Sequence, residues 1–204
     1  AGLQGGFDFT LAENAKSGVR ASVYYMNNLD EDFIMTGVDG TGGSTSGGGN
    51  IAEVLTGDPH GGDLQVVAGQ GYATLQDFPL TVFGGYSVNL SAEAPDTLDV
   101  SEEKTAYNFG IEGGDKKKYA HLGLAYYYIE ANAFPSQFID SDLFDGRTNR
   151  KGIMVYGARQ LLEGTDFNIK VYASDAIEAN LPVYEESVEG SNRIRVQIDL
   201  VYKF

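Results

Sequence analysis

The run DSDLFDG, from Asp140 to Gly146, gathers three carboxylates, Asp140, Asp142 and Asp145. Closely spaced carboxylates can hold calcium, but a calcium loop wants oxygen ligands at alternate positions and a bidentate acid further on. The spacing here does not supply them, and Arg147, Arg150 and Lys151 follow closely enough to neutralise the acids. The favoured expectation is a loop held by ion pairs, with no metal. Histidine is limited to His60, in a polar stretch, and His121, within an alternating run. No serine stands at a spacing that pairs it with either histidine as a nucleophile. Cysteine is absent, which removes disulfides, thiolate metal sites and cysteine nucleophiles together. The chemistry-bearing residues thus point away from catalysis and require no cofactor.

The remaining charges gain meaning from the elements that carry them. The last eleven residues, IRVQIDLVYKF, alternate strictly. Ile194, Val196, Ile198, Leu200, Tyr202 and Phe204 share one face, and Arg195, Gln197, Asp199, Val201 and Lys203 the other. A strand alternates faces with period 2, so this strand has one greasy and one wet side. Eight further runs read the same way: 7–12, 19–27, 64–75, 80–90, 105–112, 118–130, 153–162 and 166–176. The run 64–75 is weaker, with Leu64, Val66, Ala68 and Tyr72 on one face, and 153–162 is ambiguous because both faces carry apolar residues. No segment reads as a helix, and no run of 18 or more apolar residues offers a transmembrane helix. Glycine (27) and tyrosine (13) are abundant, as many turns and interfacial aromatics require, although tryptophan is missing. The opening AGLQGG reads as a mature or internal start, not a signal peptide.

The connections sort into two kinds. Glu13–Gly18, Gln76–Pro79, Gly113–Lys117 and Glu163–Thr165 are short; 28–63, 91–104, 131–152 and 177–192 are long. Short and long alternate, as in an outer-membrane barrel with short periplasmic turns and long external loops. The fold expectation is an all-β, transmembrane, antiparallel up-and-down β-barrel. Nine strands would run the first and last in parallel, which cannot close such a barrel. The chain is therefore expected to be the C-terminal part, 1–204, of a larger barrel of about sixteen strands. Loss of the short first strand would instead leave a closed barrel of eight.

By parity, Arg20, Glu112, His121, Arg159, Lys170, Arg193, Arg195, Asp199 and Lys203 point inward as candidate pore-lining residues. Basic groups outnumber acids among them, while the long loops are acidic; these oppose each other and leave the sign of ion selectivity open. The net charge of −15 repels phosphate and excludes a nucleic-acid partner.

One segment carries more than pattern. LGLAYYYIEANAFPSQFIDSDLFDGRTNRKG, Leu122 to Gly152, resembles the putative porin family of Gram-negative outer membranes. The resemblance rests on Tyr127 to Ala131, on Asp140, Ser141 and Asp142, and on Gly146, Thr148, Asn149, Lys151 and Gly152, together with the terminal strand ending in Phe204. The sequence departs from the family pattern at Asn132 and in the stretch Leu143-Phe144-Asp145. Family members are usually longer, again as expected for a C-terminal portion. The resemblance implies passive diffusion of ions and small hydrophilic solutes through an outer-membrane pore, contact with lipid and, by analogy, a homotrimer. Within such a pore Asp140, Asp142, Asp145, Arg147 and Arg150 become candidates for a constriction loop. The alternatives are a small non-conducting barrel that anchors the envelope or presents its loops to a partner, and a soluble β-sandwich binding module.

Overall fold

The structure is a computed structural model and describes residues 1–30, 61–94, 101–135, 139, 143–177 and 192–203. It comprises nine strands: β1 (Gly2–Ala12), β2 (Ala15–Asp30), β3 (Gly61–Leu75), β4 (Leu80–Asn89), β5 (Thr105–Gly114), β6 (His121–Ile129), β7 (Arg150–Leu162), β8 (Thr165–Ala176) and β9 (Arg193–Tyr202). They form one sheet in sequence order, each antiparallel to the next. One turn of 3-10 helix, Phe144–Gly146, interrupts the β6–β7 connection. No described helix is long and apolar enough to cross a membrane.

The sequence places all nine strands, and the differences lie at their ends. β1 begins at Gly2, five residues before its first alternating pair, because GLQGG pairs with 20–24 of β2. Glycine carries no face signal, so periodicity alone cannot see this extension. The first strand thus stands, and the eight-strand count does not. β7 begins at Arg150, three residues earlier than its apolar run. In the β7–β8 hairpin, Gly164 adopts φ +75°, a left-handed conformation natural to glycine.

Directly paired residues share a face, so the register assigns every side chain. The outer face carries Leu3, Phe7, Phe9 and Leu11 on β1, Val82 and Tyr86 on β4, Leu122 and Leu124 on β6, and Ile194, Val196, Ile198 and Leu200 on β9, all exposed. Ile194 is 78% exposed and Ile198 62%. An aqueous protein does not leave so continuous an apolar surface uncovered, whereas lipid contact requires one.

Short turns lie at one end of the sheet and long connections at the other. The amide of Lys203 bonds the Gly164 carbonyl at the short-turn end, while the amide of Tyr25 bonds the Ala1 carbonyl at the long-loop end. β1 and β9 therefore run parallel, and they are not paired with each other.

The buried core is small and lies on the inner face. Leu64 and Val66 of β3 pack with Met26, Leu29 and Phe134; Ala106 and Ile129 pack with Ala133, Ile139 and Phe144. The apolar side of β3 thus turns inward, opposite to the lipid face. The reason is local: it receives Phe134 from the β6–β7 connection, so this part of the inner wall is covered, not wet.

Candidate pore wall and constriction

Outside that apolar patch the inner wall carries clusters of polar and charged side chains. Asp8, Arg20 and Tyr72 meet across β1, β2 and β3: Arg20 Nη2 lies 3.1 Å from Asp8 Oδ1, and the Tyr72 hydroxyl donates to the same oxygen at 3.0 Å. The Arg20 guanidinium also sits 5.6 Å from the Tyr72 ring centre. Glu112 of β5 accepts a hydrogen bond from the Tyr156 hydroxyl of β7, and His121 Nε2 lies 3.4 Å away. Near the short-turn end Asp166 accepts from Lys116 at 2.8 Å, with Lys203 at 3.9 Å. Gln197 donates to Asp199 at 3.1 Å.

Glycines on neighbouring strands make room for the inner rings. Gly18 pairs with Tyr72 and Gly123 with Tyr156. A Cβ at Gly123 would lie 2.1 Å from the Tyr156 ring, and one at Gly18 2.5 Å from the Tyr72 ring. Each ring therefore lies over the adjacent strand, which keeps it against the wall and aims its hydroxyl at a carboxylate. Gly123→Val should displace Tyr156, break its bond to Glu112 and cost about 1–3 kcal/mol. Urea titration of the folded protein in detergent reads the loss; Tyr156→Phe, which keeps the ring, should lose only the hydrogen-bond part.

The β6–β7 connection folds back over this wall. Ala131, Asn132 and Ala133 are fully buried, and Thr148 and Asn149 nearly so. Asn89 Nδ2 donates to the Asn132 carbonyl at 2.8 Å, and the Asn132 amide donates to the Glu103 carbonyl at 2.6 Å. Glu130 accepts from both the amide and hydroxyl of Thr105 at 2.7 Å. Beyond this stem Phe144 meets Tyr127 edge-on at 6.1 Å between ring centres. Phe144 holds φ +53°, a left-handed conformation costing a bulky residue about 1–2 kcal/mol, so packing must hold it there. Between the segment and the wall is a cavity of about 290 Å³ lined in part by Arg20, Gln70, Asn108, Tyr127 and Phe134.

The expected lining residues divide accordingly. Arg20, Glu112, His121, Lys170, Arg193, Arg195 and Asp199 all fall on the inner face. Arg159 does not. Its neighbour Ala158 pairs with the inward His121, and Arg159 itself pairs with Phe167 in the outer apolar row. With apolar residues on both faces, β7 alone did not reveal its parity; the register with β6 did. Three residues from the end of β7, Arg159 can extend its charge along the apolar stem toward the short-turn interface. Arg159→Gln should therefore leave ion selectivity unchanged, as measured by reversal potential. Of the constriction candidates, Arg150 begins the inner row of β7 and is 3% exposed, and Arg147 follows the 3-10 turn. Asp140 and Asp142 lie outside the described residues, as does the Asp145 side chain. Sequence reasoning missed Phe134 and Phe144, the anchors of the segment. Aromatics inside a long polar connection were the available signal.

Aromatic residues also mark two levels on the outer face. Tyr25, Tyr86, Tyr107, Tyr126 and Tyr128 lie toward the long-loop end, with Tyr107 stacked on Tyr128 at 4.9 Å. Phe9, Phe78, Tyr119 and Tyr202 lie toward the short turns. From Tyr119 to Tyr128 the chain advances about 30 Å at about 3.3 Å per residue. At the usual strand tilt that is about 23 Å of height, close to the apolar band of a membrane barrel.

No curated protein and no solved structure matches the chain. A family model described as "Putative porin" matches residues 71–204, from within β3 to the terminal strand. That match spans more than half of the chain, which accordingly belongs to the putative porin family.

Proposed function

We propose that this chain forms part of a water-filled pore in the outer membrane of a Gram-negative bacterium, through which ions and small hydrophilic solutes diffuse passively. The observation that carries the reading is the β6–β7 segment packed on the inner wall, with Phe144 and Ala133 buried against Ala106 and Ile129. A segment laid across a polar wall narrows a lumen, which a barrel already filled by its own side chains has no need to do. The fold works by width and lining charge, without catalysis or cofactor.

The nine strands form one domain, the C-terminal part of a barrel of about sixteen strands. Edge strands in lipid must find partners for their backbone groups, and parallel β1 and β9 cannot supply them to each other in an antiparallel barrel. Further strands satisfy both edges. A homotrimer is the assembly proposed by analogy, and crosslinking of the native protein in membranes reads it. The functional test is swelling of liposomes carrying the full-length protein in sugars of increasing size. Swelling that falls off with solute size supports the pore. Inserted protein that admits none of them overturns it in favour of a non-conducting anchor.

A further inference from the structure

A series of hollows joins along the inner wall of β1 to β5. The one nearest the long-loop end, about 500 Å³, is lined in part by Tyr24, Met26, Val66 and Phe134. It shares Tyr24 and Phe134 with the cavity of about 290 Å³ described above. That cavity shares Arg20 and Gln70 with a third hollow of about 270 Å³, and Gln4 and Arg20 with a fourth of about 380 Å³. Together they lead from an apolar mouth to a polar floor around Arg20.

The register explains why the wall is hollow here. Ser22, Ala68, Ser87 and Ala106 form one inner row, and all four are small. The next row toward the short turns reads Arg20, Gln70, Gly85, Asn108 and Tyr127. Gly85 separates the two amides, whose backbones stand two strand spacings, about 9.5 Å, apart. A Cβ at Gly85 would lie 2.9 Å from Asn108 Oδ1 and 3.5 Å from Gln70 Cβ, so a larger residue there would crowd both.

The charges at this floor cancel, because Arg20 is paired with Asp8, and the other polar groups are amides and hydroxyls. The pair still meets the lumen, with side chains 37% and 58% exposed, and Gln4 and Gln70 are exposed as well. Asp8 and the Tyr72 ring hold the guanidinium in place, so its remaining donors are presented at little cost in entropy. A guanidinium donates and an amide both donates and accepts, which suits hydroxyls that do both at once. A site of no net charge offers an ion little attraction. Tyr24 and Phe134 supply apolar ring faces beside these polar groups.

We propose that this hollow binds a neutral, hydroxyl-rich solute, a small sugar whose hydroxyl edge meets Arg20, Gln4 and Gln70 and whose C–H face meets Tyr24 and Phe134. The inference rests on the pore reading above and deepens it by naming the solute class. A site in a pore must hold its solute firmly enough to admit it and loosely enough to release it, so occupancy saturates as concentration rises.

The test is ion current through the full-length native protein in a planar bilayer with glucose, sucrose or maltose added. A resident sugar occludes ions, so conductance should fall along a saturating curve. A polyethylene glycol of similar size should lower it only in step with the conductivity of the bulk solution. Gln70→Ala, at an exposed position, should raise the half-saturating sugar concentration about three- to tenfold, the loss of one hydrogen bond. Gly85→Leu should raise it further by filling the hollow, with folding checked by heat-dependent gel mobility. Conductance that follows bulk conductivity for all three sugars, or a saturating curve that Gln70→Ala does not shift, overturns the inference and leaves the pore reading standing. Absence of conductance from inserted protein overturns both.

Discussion

Phe144→Ala should turn a steady pore into a fluctuating one with larger open levels. Phe144 is 4% exposed and shares its cluster with Ala133, Ile139, Ala106 and Ile129. Truncating a buried phenylalanine typically costs about 3–5 kcal/mol, a shift of about two to nearly four orders of magnitude in the docking equilibrium. Relief of the left-handed backbone at this position offsets part of that loss, since alanine is less crowded there. The remainder falls on docking of the β6–β7 segment, because Phe144 makes no rung of the strand ladder. Single-channel recording reads the effect as flicker and raised conductance, while the melting of the sheet in detergent stays close to the parent. A quiet trace at the parent level would show that Phe144 does not hold the constriction.

Two neighbouring residues of β9 should respond in opposite ways to one substitution. Ile198 pairs with Ile169 in the middle of the outer apolar face, and Gln197 pairs with Lys170 on the inner wall. Ile198→Arg places a charge at mid-height in lipid, where an arginine costs about 2–4 kcal/mol. Gln197→Arg places the same charge on the polar inner wall, at little cost in folding. Refolding into lipid vesicles, read by the heat-dependent gel mobility of barrels, should fail or slow for the first and proceed for the second. Equal yields would remove the assignment of faces.

The strand layout was legible because sheet and bilayer together impose a simple rule. β9 presents one face to lipid along its length, so its alternation is clean in IRVQIDL. The rule fails where the inner face is not wet. Leu64 and Val66 face inward beneath Phe134, and β7 carries Met154 and Ala158 inside as well as Ile153 and Val155 outside. Arg159 was assigned to the wrong face for that reason, and only pairing with β6 corrects it. The site was legible in part: charges on clean strands fell where parity put them, but Asp8 and Tyr72 gave no sign that they would meet Arg20. Nor did the departure at Asn132 reveal that its carbonyl takes the side-chain amide of Asn89. Such contacts join residues distant in sequence, and no local period encodes them.

The most direct measurement of the wall itself exploits the absence of cysteine in this chain. Single cysteines introduced at each position from Ile194 to Val201, in full-length protein reconstituted into liposomes, would be treated with a hydrophilic, membrane-impermeant thiol reagent. A water-filled pore predicts strict alternation, with Arg195→Cys, Gln197→Cys and Asp199→Cys labelled and Val196→Cys, Ile198→Cys and Leu200→Cys protected. Uniform labelling of both faces, or protection of the Arg195, Gln197 and Asp199 positions, would contradict a strand standing between lipid and an aqueous lumen.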